Sequence, residues 1–157
     1  MKLQYKDILE YQQNRTPYLM IDCATSVVPG KSSNAYKKLK KSEWFFEVHW
    51  PGDPNMPGML QIEALVQTAS LSILTLPNNK GKIMYLVSAD KIKFINKVIP
   101  GDKLELETKV ITWKRGMGKF EGSGFVNGKI AFKGSFILIL PDEIQNYSVK
   151  KSKKIIL

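Results

Sequence analysis

Residues 59–76 carry Leu60, Ile62, Leu65, Val66, Leu71, Ile73 and Leu74 at spacings that cover most of a helix's circumference. A helix that is apolar nearly all round cannot lie on a surface, so the rest of the chain has to enclose it. Pro77-Asn78-Asn79-Lys80-Gly81 stops it. Beyond that stop the chain reads as strand after strand. Residues 82–87 form one strand, and 91–97 a second or its continuation past a bulge. After the turn Pro100-Gly101-Asp102, Leu104, Leu106, Thr108, Val110 and Thr112 alternate with Lys103, Glu105, Glu107 and Lys109, the pattern of a half-exposed strand. Arg115-Gly116-Met117-Gly118 turns the chain into 120–126, Asn127-Gly128 signals a type I′ hairpin, and 129–140 is the last strand. Upstream, 5–13 has helical spacing. Residues 17–28 and 33–39 read as strands around the turn Pro29-Gly30-Lys31, and 44–48 is a short apolar lead-in to His49. These elements predict an α+β fold, a curved antiparallel sheet wrapped around one long central helix. A single sheet of this kind leaves a free edge strand, which invites pairing with a second subunit.

At 157 residues the chain is long enough for one domain with a real core, taken as 1–141, followed by a basic C-terminal tail, 142–157. The lone Cys23 sits in the apolar stretch 18–24 and is expected to be a buried, inert thiol, which allows a reducing compartment. No apolar run approaches the length of a membrane span, and residues 1–7 lack the apolar stretch of a signal peptide. The expectation is a cytoplasmic protein in which the sequons at Asn14 and Asn146 have no use. The net charge of +10 asks for an acidic partner: nucleic acid, an anionic membrane surface or an acidic protein. The densest basic run, 150–154, also fits a solvated tail. The aromatic residues are not interleaved with basic ones as on a nucleic-acid stacking platform.

Chemistry gathers at one place. His49, the only histidine, opens His49-Trp50-Pro51-Gly52-Asp53-Pro54-Asn55-Met56-Pro57-Gly58, a loop stiffened by proline and glycine. Glu63 lies early in the apolar helix. If buried, its carboxyl escapes the cost of an unpaired charge by keeping its proton, although the helix N-terminus favours the anion. If it faces solvent, it is an ordinary first-turn glutamate. A lone histidine, likewise, is either a base or a structural residue.

The strings His49-Trp50-Pro51-Gly52, Met56-Pro57-Gly58 and Leu60-Gln61-Ile62-Glu63-Ala64-Leu65-Val66-Gln67 closely resemble the signature of the FabZ-type (3R)-hydroxyacyl-[acyl-carrier-protein] dehydratases. Arg15-Thr16-Pro17-Tyr18-Leu19-Met20-Ile21-Asp22, Asp90-Lys91-Ile92-Lys93-Phe94, Val98-Ile99-Pro100-Gly101-Asp102 and Val126-Asn127-Gly128-Lys129-Ile130-Ala131 resemble its other landmarks. Three departures stand out. Trp50 replaces the usual phenylalanine, the histidine often found before the N-terminal arginine is absent, and the basic tail exceeds the family core. The resemblance implies a hotdog fold and homodimers, which can assemble as trimers of dimers, with two sites at the dimer interface. Each site takes the histidine of one subunit and the glutamate of the other. It implies that His49 removes the C2 proton of a 3-hydroxyacyl thioester and Glu63 protonates the departing C3 hydroxyl. An imidazole has a neutral form available near pH 7, and a carboxyl kept protonated suits an acid. The Gly58 amide, with the helix dipole behind it, would face the thioester oxygen. Gln67 orients Glu63 or packs in the core; Tyr85 gates the acyl tunnel or is a core tyrosine; Phe94 contacts substrate. The acidic partner becomes an acyl carrier protein, with Lys91, Lys93, Lys97, Lys114 and Arg115 as its candidate contacts.

Other chemistries fit poorly. One histidine and one cysteine cannot supply a His/Cys zinc site with several ligands, so no metal is expected. There is no nucleophile elbow and no phosphate-binding loop. Loss of water across a carbon–carbon bond needs no redox cofactor. The rivals are a hotdog thioesterase, against which the His-x-Pro-Gly loop argues, and a non-catalytic acyl-chain binder. The isomerising dehydratases typically have aspartate where Glu63 stands.

Overall fold

A computed structural model describes residues 1–155, with side chains through Ser148. The elements are α1 (Tyr5–Tyr11), β1 (Cys23–Val28), β2 (Ser32–Lys38), α2 (Trp44–Val48), α3 (Gly58–Leu74), β3 (Tyr85–Phe94), β4 (Lys103–Lys114), β5 (Met117–Val126), β6 (Lys129–Ile139) and α4 (Pro141–Ile155). The strands make one antiparallel sheet in the order β1-β2-β4-β5-β6-β3. Helix α3 lies in its curve, as the all-round apolar pattern requires. Every residue from 64 to 74 is buried. A Cβ added to Gly122 would stand 3.0 Å from Leu65 Cδ2, so β5 can approach the helix this closely only without a side chain there. The helix's hydroxyls are satisfied by its own backbone: Thr68 Oγ1 donates to Ala64 O and Ser72 Oγ to Ala69 O. This is the hotdog fold.

The β4–β5 and β5–β6 hairpins each turn on two residues with positive φ, Arg115-Gly116 (56°, 81°) and Asn127-Gly128 (50°, 74°), the type I′ geometry that matches strand twist. The first turn is therefore tighter than the four residues expected, and Met117 and Gly118 already belong to β5.

Two expectations change and one alternative is decided. Residues 17–22 are not strand. Their backbone bonds to a side chain instead: Met20 N donates to Gln67 Oε1, and Tyr18 O accepts from Gln67 Nε2. Of the two readings of 82–97, the continuation past a bulge is the one the structure shows. Within these residues runs the single strand β3, with register shifts between Leu86 and Ser88 and between Asp90 and Lys93, and Lys91 at φ 53°. The segment after Pro141 forms helix α4. It is seated where Ile144 closes on Gly116, and Arg115 lies over the Tyr147 ring at 4.4 Å. The side chains of 150–154 lie outside those described, as do residues 156–157. Cys23 is buried and free. No helix among the described residues is long and apolar enough to cross a membrane.

The two sheet edges differ. At β1 the N-terminal residues cover the edge: Leu3 and Ala24 exchange backbone hydrogen bonds at 2.9 Å, and Val27 N donates to Met1 O. At β3 one side pairs with β6, and among the described residues no strand pairs with the other. Tyr85, Val87 and Phe94 on it are each more than half exposed.

Candidate active site

His49 caps the C-terminus of α2, its amide donating to Phe45 O at 2.9 Å, and buried Phe45 and Phe46 anchor that short helix in the core. The loop beyond is held at several points. Trp50 takes φ 57°, Asp53 N donates to Trp50 O, and Asn55 Nδ2 donates to Asp53 O at 2.8 Å. Buried Met56 donates its amide to Val98 O, and the Lys97 ammonium pairs with Asp53 at 2.6 Å. The Trp50 ring stacks on the imidazole with centroids 4.4 Å apart. A bulky residue at positive φ is unusual, and here it turns the indole back onto His49. Nδ1 of His49 lies 2.9 Å from Asn55 O. A carbonyl can only accept, so Nδ1 carries the proton in the neutral ring and Nε2 keeps a free lone pair.

Glu63 lines a cavity of about 290 Å³ with Gln67, Tyr85 and neighbouring residues. Burial pushes its carboxyl above the usual glutamate range, and the hydrogen bond from Gln67 pulls partly back. Gln67, 2% exposed, has every polar group in use. Its Nε2 donates to Glu63 Oε1 and Tyr18 O, each at 2.9 Å, and its Oε1 accepts from Met20 N at 2.8 Å. Of the two roles open to Gln67, the geometry matches the orienting one, with the irregular segment before β1 as its anchor. Gln67→Leu should leave the buried Met20 amide without its partner and take the donor from the part-buried Tyr18 carbonyl. It is expected to lower the free energy of unfolding by about 1–3 kcal/mol, measured by urea denaturation.

At the start of α3, a Cβ on Gly58 would stand 2.6 Å from Phe94 Cζ. The aromatic ring lies directly on the glycine. The Gly58 amide precedes the first intrahelical bonds, which begin with Leu60 and Gln61 donating to Pro57 O.

Two clusters result. Glu63, Gln67 and Tyr85 share the cavity; His49, Gly58 and Phe94 belong to the other end of β3. Among the described residues no hydrogen bond joins His49 to Glu63, and His49 does not line the cavity. The basic candidates divide in the same way. Lys91, Lys93 and Lys97 lie toward the Phe94 end, where Lys93 faces Lys133 in register and Lys97 pairs with Asp53. Lys114 and Arg115 lie at the Tyr85 end, through the register Tyr85–Ile139–Met117–Lys114. One chain does not bring them into one patch. Sequence reasoning missed Asn55, whose part is played by its carbonyl and its clasp on Asp53. It also missed Lys82 and Gln12 in the cavity wall. The spacing of Glu63, Val66, Gln67, Ser70 and Leu74 along one helix face was the available signal for such a groove.

Comparison with known proteins shows the family of the chain. The family model of the FabA-like domain matches residues 13–135. The 3-hydroxyacyl-[acyl-carrier-protein] dehydratase FabZ of Clostridium tetani is 42% identical over 135 residues, covering 86% of this chain and 95% of that protein. Its counterpart from Alkaliphilus metalliredigens is 40% identical over 144 residues, covering 90% and 98%. Among solved structures, the dehydratase heterocomplex ApeI:P from Xenorhabdus doucetiae superposes with a TM-score of 0.73 at 15% identity, covering 85% of this chain and 90% of that one. With His49, Gly58, Glu63 and Gln67 at the positions of the sequence signature, the chain belongs to the FabA-like family and stands among its FabZ-type 3-hydroxyacyl-[acyl-carrier-protein] dehydratases.

Proposed function

We propose that the protein converts (3R)-hydroxyacyl-[acyl-carrier-protein] to the trans-2-enoyl form in cytoplasmic fatty-acid biosynthesis, at sites shared between two subunits. The observation that carries this reading is the matched state of its two groups. Asn55 O holds the His49 proton on Nδ1, and burial raises the Glu63 carboxyl above the usual glutamate range, which favours its acid form. Nε2 of His49 takes the C2 proton, and the electron pair of that bond forms the C2–C3 double bond. The C3–O bond breaks, and Glu63 gives its proton to the departing hydroxyl, which leaves as water. Negative charge on the thioester oxygen faces the Gly58 amide and the positive end of α3. Proton exchange with solvent resets both groups.

That His49 does not line the cavity holding Glu63 supports the shared site. The bare edge of β3 can pair with a second copy about a twofold axis, which runs the two strands antiparallel. The Phe94 end of one subunit then lies beside the partner's Tyr85 end. His49 and Gly58 approach the cavity of the partner's Glu63. The same pairing brings Lys91 and Lys93 of one subunit toward Lys114 and Arg115 of the other, making one basic surface from two halves. An acidic acyl carrier protein suits that surface.

The direct test is incubation with 3-hydroxyacyl-carrier thioesters while following dehydration by mass spectrometry; no conversion at any chain length would overturn the assignment. The charge reading has its own test. Basic steering acts on association and is screened by salt. kcat/KM for carrier-bound substrate should fall about tenfold or more from low to high ionic strength. That for a short neutral thioester should barely move. Equal responses would point the positive charge to another partner.

A further inference from the structure

Among the described residues Lys37 is the only buried lysine, 7% exposed near the end of β2. Its ammonium stands 3.4 Å from Glu43 Oε1 and 3.7 Å from Asp22 Oδ1. A buried cation is costly unless it is paired, and the two carboxylates supply the pairing. Each of them belongs to a segment that leads to a reacting group. Asp22 closes the irregular segment 17–22, whose Tyr18 and Met20 backbone groups bond to Gln67, the residue that donates to Glu63. Asp22 is also fixed to β2 by its own backbone and side chain: its amide donates to Tyr36 O, and its Oδ2 accepts from Lys38 N, each at 2.8 Å. Glu43 immediately precedes α2, and its carbonyl accepts from Phe46 N at 3.0 Å. The other end of α2 is His49. A helix of five residues does not hold itself. Phe45 and Phe46 bury their rings, but burial is non-directional and leaves so short a helix free to rotate and slide. The Lys37–Glu43 pair joins particular atoms. It fixes the entry to α2 about 9 Å before His49, at 1.5 Å per residue.

We infer that Lys37 is a positioning residue for the dehydration: by holding Glu43 and Asp22 on one ammonium, it sets the place of the His49 imidazole relative to the Gln67–Glu63 pair of its own chain. The inference rests on the dehydratase reading above. Lys37 does not line the cavity of Glu63, so it acts through α2 and the segment before β1 and not on substrate. In a dimer with shared sites, His49 and Glu63 of one chain serve different sites. The joint at Lys37 then governs how both sites close when two copies pair. A displacement of about 1 Å at a reacting group costs on the order of 10²-fold in rate, so a joint this far from the chemistry has a measurable effect.

The experiment uses Lys37→Met in the full chain and has two readouts. Without the ammonium, Glu43 and Asp22 repel each other, and the Glu43 carboxylate moves toward water and takes the start of α2 with it. With a 3-hydroxyacyl-carrier thioester, kcat should fall about 10–100-fold while KM changes by less than about threefold. The second readout is heteronuclear NMR of the imidazole. His49 is the only histidine, so its two ring nitrogens give the only such signals. In the wild type they should show the Nδ1–H tautomer that Asn55 O holds; in Lys37→Met they should move toward a mixture of tautomers. Where Lys37→Met does not fold, Glu43→Gln is read in the same way, with a fall in kcat of about fivefold or more. Unchanged imidazole signals in the folded variant would overturn the inference whatever happens to Tm, because Lys37 would then be a purely structural residue; an unchanged kcat would overturn it as well. If the wild type dehydrates no carrier thioester, the dehydratase reading itself falls, and the imidazole signals still decide whether Lys37 places His49.

Discussion

His49→Asn and Glu63→Gln should each lower kcat/KM by about 10²–10⁴-fold, the usual contribution of a positioned general base or acid. Asn cannot accept a proton at the place of Nε2, and Gln cannot give one where the Glu63 carboxyl does. The two variants part company in stability. Burial raises the Glu63 carboxyl above its ordinary range, so the folded state holds that proton more tightly than the unfolded chain does. Below the ordinary glutamate range both states are protonated and burial of the carboxyl costs nothing in ionisation. As pH rises through that range toward the folded value, the unfolded chain ionises into water first, and stability falls; the loss is complete above the folded value. Glu63→Gln removes this loss while keeping an acceptor for Gln67 Nε2. Thermal melts should therefore show Glu63→Gln with a higher Tm than wild type at neutral pH, the gain shrinking in acid. Near-wild-type turnover in either variant would sink the catalytic assignment. A Tm gain that persisted unchanged in acid would sink the protonation argument.

How much of this was legible depends on where the information sits. The enclosed helix could be read because an all-round apolar pattern has few other uses, and Glu63 stood out as the charge inside it. Asn127-Gly128 announced its turn because few residues take two successive positive φ values. The single strand β3 was legible only as one of two alternatives, one strand with a bulge or two strands. Its alternation is broken at two register shifts, and its exposed edge carries apolar residues that in a lone chain have no core to face. Residues 17–22 look like strand because they are apolar and come after a proline. They are held instead by the side chain of Gln67, a partner some 47 positions away that no local pattern reveals. The carbonyl of Asn55 fixes the tautomer of His49, and a backbone group has no letter of its own. Helix α4 was obscured by charge, although Ile144 and Tyr147 stand three apart on the face that meets Gly116 and Arg115. The split of the basic residues between two ends of β3 is a matter of register, which composition does not carry.

The shared site makes a sharper demand than either single variant. Each His49→Asn subunit keeps its own Glu63, and each Glu63→Gln subunit keeps its own His49. If every site takes histidine from one copy and glutamate from the other, a mixed dimer has one site with both groups altered and one with both intact. Equal mixing with free exchange makes half the dimers mixed, so activity should return to about a quarter of the wild-type value from two parents that have almost none. If instead His49 and Glu63 of the same chain worked together, every site in every dimer would lack one group, and nothing would return. The geometry favours the first outcome. His49 is tied through Asp53–Lys97 and Met56–Val98 to the segment beyond Phe94, and Glu63 opens into the cavity that Tyr85 lines at the other end of β3. Antiparallel pairing of two such strands is the arrangement that closes this gap. Exchange demonstrated by native mass spectrometry with no return of activity would leave the two groups in separate sites, and the mechanism would need another acid.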